Sequence, residues 1–95
     1  MNKNNDFQKY LKENLKDSEF QEYFSEHGKR LEVAYQILQL RKKKKMSQIQ
    51  LAKKIGTTQG NIARMESGQQ NFTTNTLNKV ALAFKCDLKI NFVKN

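Results

Sequence analysis

Residues 47–68 read SQIQLAKKIGTTQGNIARMESG, and their pattern is the strongest predictor of the fold in this sequence. Apolar residues recur in this stretch at the spacing of an α-helix, with one interruption at Gly56. The side chains that this spacing turns inward are Leu51, Ile55, Ile62 and Met65. Ala52 is small enough to let two helices cross closely. The sequence therefore predicts two short helices that meet at a tight turn.

Polar residues and glycines mark the ends of both helices. Ser47, followed three residues later by Gln50, is a capping-box pattern that predicts the start of the first helix. Gly56 ends this helix, because glycine adopts the left-handed conformation more easily than other residues. We expect Thr58 to cap the second helix and Gly68 to close it.

Helical spacing continues on both sides of this pair. Residues 7–15 predict an amphipathic helix, and residues 18–28 predict a second helix that Gly28 ends. A longer helix follows over residues 31–41, and a last one begins at Thr73. The sequence thus predicts an all-α domain of five to six helices.

Near the end of the chain, the apolar residues recur at every second position. Leu88, Ile90 and Phe92 alternate with Lys89 and Asn91, which predicts a short C-terminal β-strand over residues 87–93. No second strand pattern exists in the sequence, and one strand cannot satisfy its own backbone hydrogen bonds. We therefore expect Leu88, Ile90 and Phe92 to form a dimer contact with a second chain.

Composition limits the classes of function. Ninety-five residues form one small domain, whose core is too small to enclose a sizeable substrate cavity. The single Cys suits a reducing cytoplasm, and no apolar run is long enough for a membrane span or a signal peptide. His27 and Cys86 have no neighbours at metal-ligand spacing, and no Ser/His/Asp set is present. We expect a cytoplasmic protein that is not an enzyme and holds no cofactor or metal.

The charge is large and unevenly distributed. Eighteen Lys and Arg residues against nine acidic residues give a formal net charge of +9, which suits a polyanionic partner. Residues 1–28 carry a net charge of −2, and residues 29–95 carry +11. We therefore divide the chain into an acidic, aromatic extension (residues 1–28), a central helical domain (residues 29–86) and the C-terminal strand (residues 87–95).

The segment from residue 31 to residue 84 resembles the Xre/Cro-type helix-turn-helix domain of phage repressors. The shared positions are Ser47, Gln48, Leu51, Ala52, Ile55, Gly56, Gln59, Ile62, Met65, Glu66, Gly68, Thr76, Leu77, Val80 and Ala81. In this lambda-repressor-like fold, the second helix of the pair enters the major groove of DNA. The resemblance implies that residues 29–86 bind double-stranded operator DNA and that the chain is a repressor.

The resemblance also implies roles for individual side chains. Gln48 would bond a phosphate, and Gln59 would reach a base edge or a phosphate from the start of the recognition helix. Gly60 offers no side chain where phage repressors often carry a base reader. Asn61 and Arg64 are expected on the exposed face, where Arg64 can pair with guanine through two hydrogen bonds. The candidate DNA contacts are Lys43, Lys44, Gln48, Thr58, Gln59, Gly60, Asn61, Arg64 and Ser67, together with the loop 69–71 and the basic run 41–45.

A helical extension before such a domain and a strand after it resemble the architecture of HigA-type antitoxins. This second resemblance implies a RelE/HigB-like ribonuclease toxin as partner, in a homodimer or a toxin–antitoxin heterotetramer. Such a toxin is expected to be basic, so an acidic surface would complement it. The candidate toxin contacts are Glu19, Phe20, Glu22, Tyr23 and Phe24.

Plainer interpretations stay open for each feature. The aromatic residues of the extension can belong to the core, in which case the chain is a stand-alone phage-like or mobile-element repressor. The basic run can be a solvated helix end, and Arg64 can pair with Glu66 rather than with DNA. A small enzyme or an RNA-binding adaptor finds no supporting motif in the sequence.

Overall fold

The computed structural model describes Phe7, Lys9, Tyr10, Lys12, Glu13 and residues 18–94, with the backbone alone described at residues 18–21 and 23–26. Four helices follow one another: α1 (Ser18–Lys43), α2 (Gln48–Ile55), α3 (Gln59–Glu66) and α4 (Thr74–Ala83). The five described residues before α1 are helical as well. The described part of the chain contains no strand, which confirms the helical class. None of its helices has the length and apolar character that crossing a membrane requires.

The pair α2–α3 begins and ends where the capping residues predict. The Ser47 hydroxyl accepts a hydrogen bond from the Gln50 N–H at 3.0 Å, and the Gln50 side chain accepts one from the Ser47 N–H at 2.7 Å. Gly56 ends α2 with a φ of 75°, in the left-handed region. The Thr58 hydroxyl accepts a hydrogen bond from the Asn61 N–H at 3.1 Å and starts α3. The predicted helix-turn-helix boundaries are confirmed.

The core lies where α2 and α3 meet the other two helices. α3 packs against α1 and α2, and α2 also packs against α4. The buried residues at this meeting point are Ile37, Leu51, Ala52, Ile62, Met65, Val80 and Phe84. Leu51, Ile62 and Met65 are 0% exposed, which confirms the inward positions predicted for them. Each such burial stabilises the fold by about 1.5–3 kcal/mol, so the core fixes α3 against two neighbours, α1 and α2.

The helices expected on either side of Gly28 form one element. α1 continues from Ser18 to Lys43 and bends at His27, which has a φ of −127° and a ψ of 25°. Gly28 does not have a left-handed φ, but helical geometry breaks at the adjacent residue His27, so the predicted break between two helical segments is present one residue earlier, as a kink. A glycine ends a helix when it turns the chain away, and here the chain bends and continues. The expected five to six helices are therefore not supported in the described residues, where four have full bounds.

The C-terminal segment after α4 has no regular structure. Residues 86–94 form neither helix nor strand, so the strand predicted over residues 87–93 is not present in the single chain. A strand is stable only with a hydrogen-bonded neighbour, and the described part of this chain supplies none. Leu88, Ile90 and Phe92 are 38%, 56% and 103% exposed.

Aromatic rings join the described N-terminal residues to α1. The ring centroid of Tyr35 lies 5.4 Å from that of Phe7 and 5.1 Å from that of Tyr10. Aromatic pairs attract each other at centroid distances of about 4.5–7 Å. Phe7 and Tyr10 are both half-buried, so these two aromatic residues extend the packing of the domain.

Candidate nucleic-acid interface

The N-terminal end of α3 presents several of the candidate DNA contacts. Gln59 is the first residue of α3, and it is exposed together with Gly60 and Arg64. The first turns of α2, α3 and α4 contain no acidic residue. The positive ends of these helix dipoles are therefore not neutralised by neighbouring carboxylates, which suits a surface that meets phosphates.

Lysines at the end of α1 form a second positive surface, which we call the basic segment (residues 42–45). All four lysines are exposed. Lys45 adopts a φ of 54°, and this left-handed residue turns the chain from α1 towards α2. Lys43 and Lys44 thus have the solvent exposure that contacts with phosphates require.

Arg41 does not belong to this exposed set, although it precedes the basic segment directly. Its Nε donates to Glu66 Oε2 at 2.5 Å and its Nη2 donates to Glu66 Oε1 at 3.0 Å. The Arg41 and Glu66 side chains are 14% and 5% exposed. The hydrogen bond to Glu66 raises the pKa of Arg41, and the charge of Glu66 acts in the same direction, while burial opposes both. Glu66 therefore pairs with Arg41 and not with Arg64, and the exposed basic run begins at Lys42.

Glu66 also connects the first residues of α2 and α3. Gln48 Nε2 donates to Glu66 Oε1 at 3.1 Å, and Gln59 Nε2 donates to Gln48 Oε1 at 3.4 Å. Arg41, Glu66, Gln48 and Gln59 thus form a continuous chain of hydrogen bonds, which we call the Glu66 network. It places the Gln48 and Gln59 amides side by side at the surface.

Asn61 is half-buried, and both polar atoms of its side chain have partners. Its Nδ2 donates to Thr57 Oγ1 at 2.8 Å. Its Oδ1 accepts from Gln70 Nε2, and also from Arg64 Nη2 at 3.5 Å. The sequence led us to expect Asn61 on the open face, but its amide instead joins the turn before α3 to the loop after it.

Residues 37–90 match a family model described as Helix-turn-helix. The chain belongs to this Xre/lambda-repressor-like helix-turn-helix family. The match spans the end of α1, the α2–α3 pair and α4. Membership supports sequence-specific binding of double-stranded DNA in the regulation of transcription. No curated protein and no solved structure matches the chain.

The hydroxyl groups at the two ends of the recognition helix differ in what they can offer DNA. Thr58 Oγ1 accepts the hydrogen bond that caps α3, which leaves its O–H free to donate to a phosphate. Ser67 Oγ donates to the Arg64 carbonyl at 3.0 Å. A phosphate contact by Ser67 therefore requires its hydroxyl to turn away from the helix, whereas Thr58 needs no rearrangement.

The sequence did not reveal the partners of Arg41 and Asn61 in this helix-turn-helix domain. Glu66 is one of only three acidic residues in residues 29–95, and that scarcity is a signal that it has a specific partner. The sequence does not say which basic residue that partner is, because Arg41 lies 25 residues away. Thr57 and Gln70, which hold Asn61, carry no comparable signal.

Proposed function

We propose that this chain is an antitoxin that neutralises a RelE/HigB-like ribonuclease toxin by direct binding and represses its own operon through its helix-turn-helix domain. The division of charge carries the proposal, since residues 1–28 have a net charge of −2 and residues 29–95 have +11. Binding to DNA uses only the positive part. The acidic extension therefore points to a second partner, which is a basic protein.

The candidate toxin surface lies on the acidic extension. Glu13 and Glu22 are exposed, so their carboxylates can meet a basic protein without a change in the fold. The side chains of Glu19, Phe20, Tyr23 and Phe24 lie outside the described part of the structure. Aromatic anchors surrounded by charged residues are typical of the centre and rim of protein–protein interfaces, which supports these residues as the contact.

A stand-alone repressor is the second candidate, and one observation favours it. Phe7 and Tyr10 pack against Tyr35 of α1, so part of the extension serves the stability of the domain itself. In that case the acidic residues are a solvated surface with no protein partner. The two candidates differ in whether a toxin binds to residues 1–28.

Charge reversal on the extension distinguishes these candidates. The full-length Glu22→Lys variant is expected to bind the toxin encoded beside its own gene about tenfold or more weakly, because like charges then oppose each other. Glu32→Lys makes the same charge change further along α1, outside the extension, and is the matched control. Titration calorimetry with purified toxin measures both affinities. Equal toxin affinity in wild type and Glu22→Lys contradicts the proposed surface. If the protein encoded by the neighbouring gene binds neither the wild type nor the variant, the stand-alone repressor is favoured.

A second variant is expected to lose repression and keep toxin neutralisation. Arg64→Ala removes the proposed base reader and leaves residues 1–28 unchanged, so repression of an operon reporter falls while protection against the toxin persists. Loss of both activities in a folded Arg64→Ala protein would mean that the toxin and the DNA share one surface.

We further propose that the chain acts as a homodimer through its C-terminal segment. Leu88, Ile90 and Phe92 expose apolar surface along a segment whose backbone pairs with no strand among the described residues. An operator with two half-sites needs a two-fold dimer. Antiparallel pairing of residues 87–93 with a second copy would supply the missing hydrogen bonds and cover the three apolar side chains together.

Deleting residues 87–95 is therefore expected to give a monomer that binds a two-half-site operator roughly 100-fold more weakly, because the two domains no longer bind as one unit. Ile90→Lys should act in the same direction, since it places a charge in the contact. Lys89→Ala lies on the other face of the proposed strand and should leave the dimer intact. Sedimentation equilibrium measures the state of each protein, and a truncated chain that is still a dimer places the contact elsewhere.

A further inference from the structure

The guanidinium of Arg64 lies over Gly60, one helical turn towards the start of α3. A Cβ atom built on Gly60 would lie 3.8 Å from Arg64 Nη1, which is ordinary van der Waals contact. Residues four apart in a helix are neighbours, and long side chains there point back towards the N-terminus. Arg64 therefore lies along the helix surface, towards the end of α3 that carries Gln59, and a methyl group at position 60 would contact it without displacing it.

Asn61 is the side chain that reaches Arg64 in this position. Its Oδ1 accepts from Arg64 Nη2 at 3.5 Å, and the same oxygen accepts from Gln70 Nε2. Its Nδ2 is held by Thr57 Oγ1 at 2.8 Å. The Asn61 amide is thus anchored on both sides, by the turn before α3 and by the loop after it, and Arg64 is the one exposed partner of the three.

We propose that Asn61 is a positioning residue for Arg64 and not a base reader. The inference rests on the proposed role of Arg64 in reading DNA. An amide that reads adenine needs both its N–H donor and its oxygen acceptor, and in Asn61 both already have partners within the protein. An arginine that is already held in place loses less conformational entropy when it binds DNA. This preorganisation increases affinity and selectivity.

Base preference tests this assignment directly. The probe is a double-stranded DNA site that the full-length chain selects from a randomised pool, together with its single-base-pair variants. Arg64→Ala is expected to lose roughly tenfold to 100-fold of the discrimination at one base pair. Asn61→Ala is expected to lose less of this discrimination, roughly threefold to tenfold, at the same base pair. The double variant Asn61→Ala/Arg64→Ala should show the same discrimination as Arg64→Ala alone.

A conservative variant separates positioning from a loss of structure. Asn61→Asp keeps the oxygen acceptor for Arg64, so the preference at that base pair should persist, while the added negative charge lowers the affinity for all DNA. Lys43→Ala should also lower affinity without changing preference, because phosphate contacts do not read sequence. Asn78→Ala removes an exposed amide on α4 and is the matched control, with wild-type binding expected. Thermal unfolding confirms that each variant is folded.

The outcomes that overturn the proposal are distinct from those that overturn the role of Arg64. If Asn61→Ala loses preference at a different base pair, and its effect adds to that of Arg64→Ala, Asn61 reads a base itself. If a folded Asn61→Ala protein keeps full preference, Asn61 does not position Arg64. If Arg64→Ala alone keeps full preference, the base-reading role of Arg64 is wrong, and with it the reason for positioning. A wild-type chain that selects no sequence overturns both.

Discussion

Replacing Glu66 with alanine is expected to lower the free energy of unfolding by about 2–3 kcal/mol, because the Arg41–Glu66 pair is partly buried and hydrogen-bonded. The substitution leaves the Arg41 guanidinium, with its side chain 14% exposed, without the carboxylate that accepts two of its hydrogen bonds. The one remaining bond, from Nη1 to the Met46 carbonyl at 2.9 Å, does not neutralise the charge. Gln48 loses its acceptor at the same time. The loss is large for a domain of this size, since small domains are stable by only about 5–15 kcal/mol.

The Glu32→Ala variant is the matched control for this prediction. Glu32 forms an ion pair with Lys29 at 3.6 Å, but the side chains are 42% and 97% exposed, so removing it should cost no more than about 0.5 kcal/mol. Urea titration followed by circular dichroism measures both losses. Similar values for the two variants would mean that the Arg41–Glu66 pair contributes no more than a surface ion pair.

Replacing Gly68 with alanine is expected to lower the free energy of unfolding by about 2–4 kcal/mol, by combining backbone strain with a steric clash. Gly68 has a φ of 74°, which costs an L-residue energy even in open space. A Cβ at this position would also lie 2.8 Å from Leu31 Cδ2 and 3.5 Å from Leu31 Cα. Leu31 is only 5% exposed, so the core leaves it little room to move away.

Gly56→Ala isolates the first of these two costs. Gly56 has nearly the same φ, 75°, but nothing lies within 4 Å of the Cβ that alanine would add. It should therefore lose about 1 kcal/mol, from backbone strain alone. Thermal or urea unfolding of the two variants gives the difference, which measures the clash with Leu31. Equal losses at both glycines would show that α1 adjusts to the added methyl group at no cost.

The features that the sequence predicted well depend on residues close together in the chain. The Ser47–Gln50 capping box, the left-handed Gly56 and the Thr58 cap each involve residues no more than four positions apart. The Thr73 cap of α4 is of the same kind, with its hydroxyl accepting from the Thr76 N–H at 3.1 Å. Such patterns are decided by local geometry, so they can be read without knowing the fold.

The features that the sequence did not reveal depend on contacts between distant residues. The Arg41–Glu66 pair joins α1 to the end of α3, and its partners become neighbours only after the helices pack. Near Gly28 the sequence predicted a break between two helices, and the structure has a kink one residue earlier, at His27, after which the helix resumes directly. The strand over residues 87–93 failed for a different reason, since its pattern describes a state that one chain cannot form alone.

The Glu66 network has a consequence for how this domain discriminates between DNA sequences. Its hydrogen bonds connect the last turn of α1, where the basic segment starts, to the first residue of α3. The protein therefore fixes the distance between the two proposed DNA contacts, which are the basic segment and the start of α3. A rigid pair of contacts fits only a duplex whose groove width and backbone path match that spacing. Bending or twisting the DNA to fit costs a deformation free energy, and that energy depends on the DNA sequence. Base pairs that no side chain touches, between and beside the contacts, are therefore expected to influence operator affinity through their stiffness.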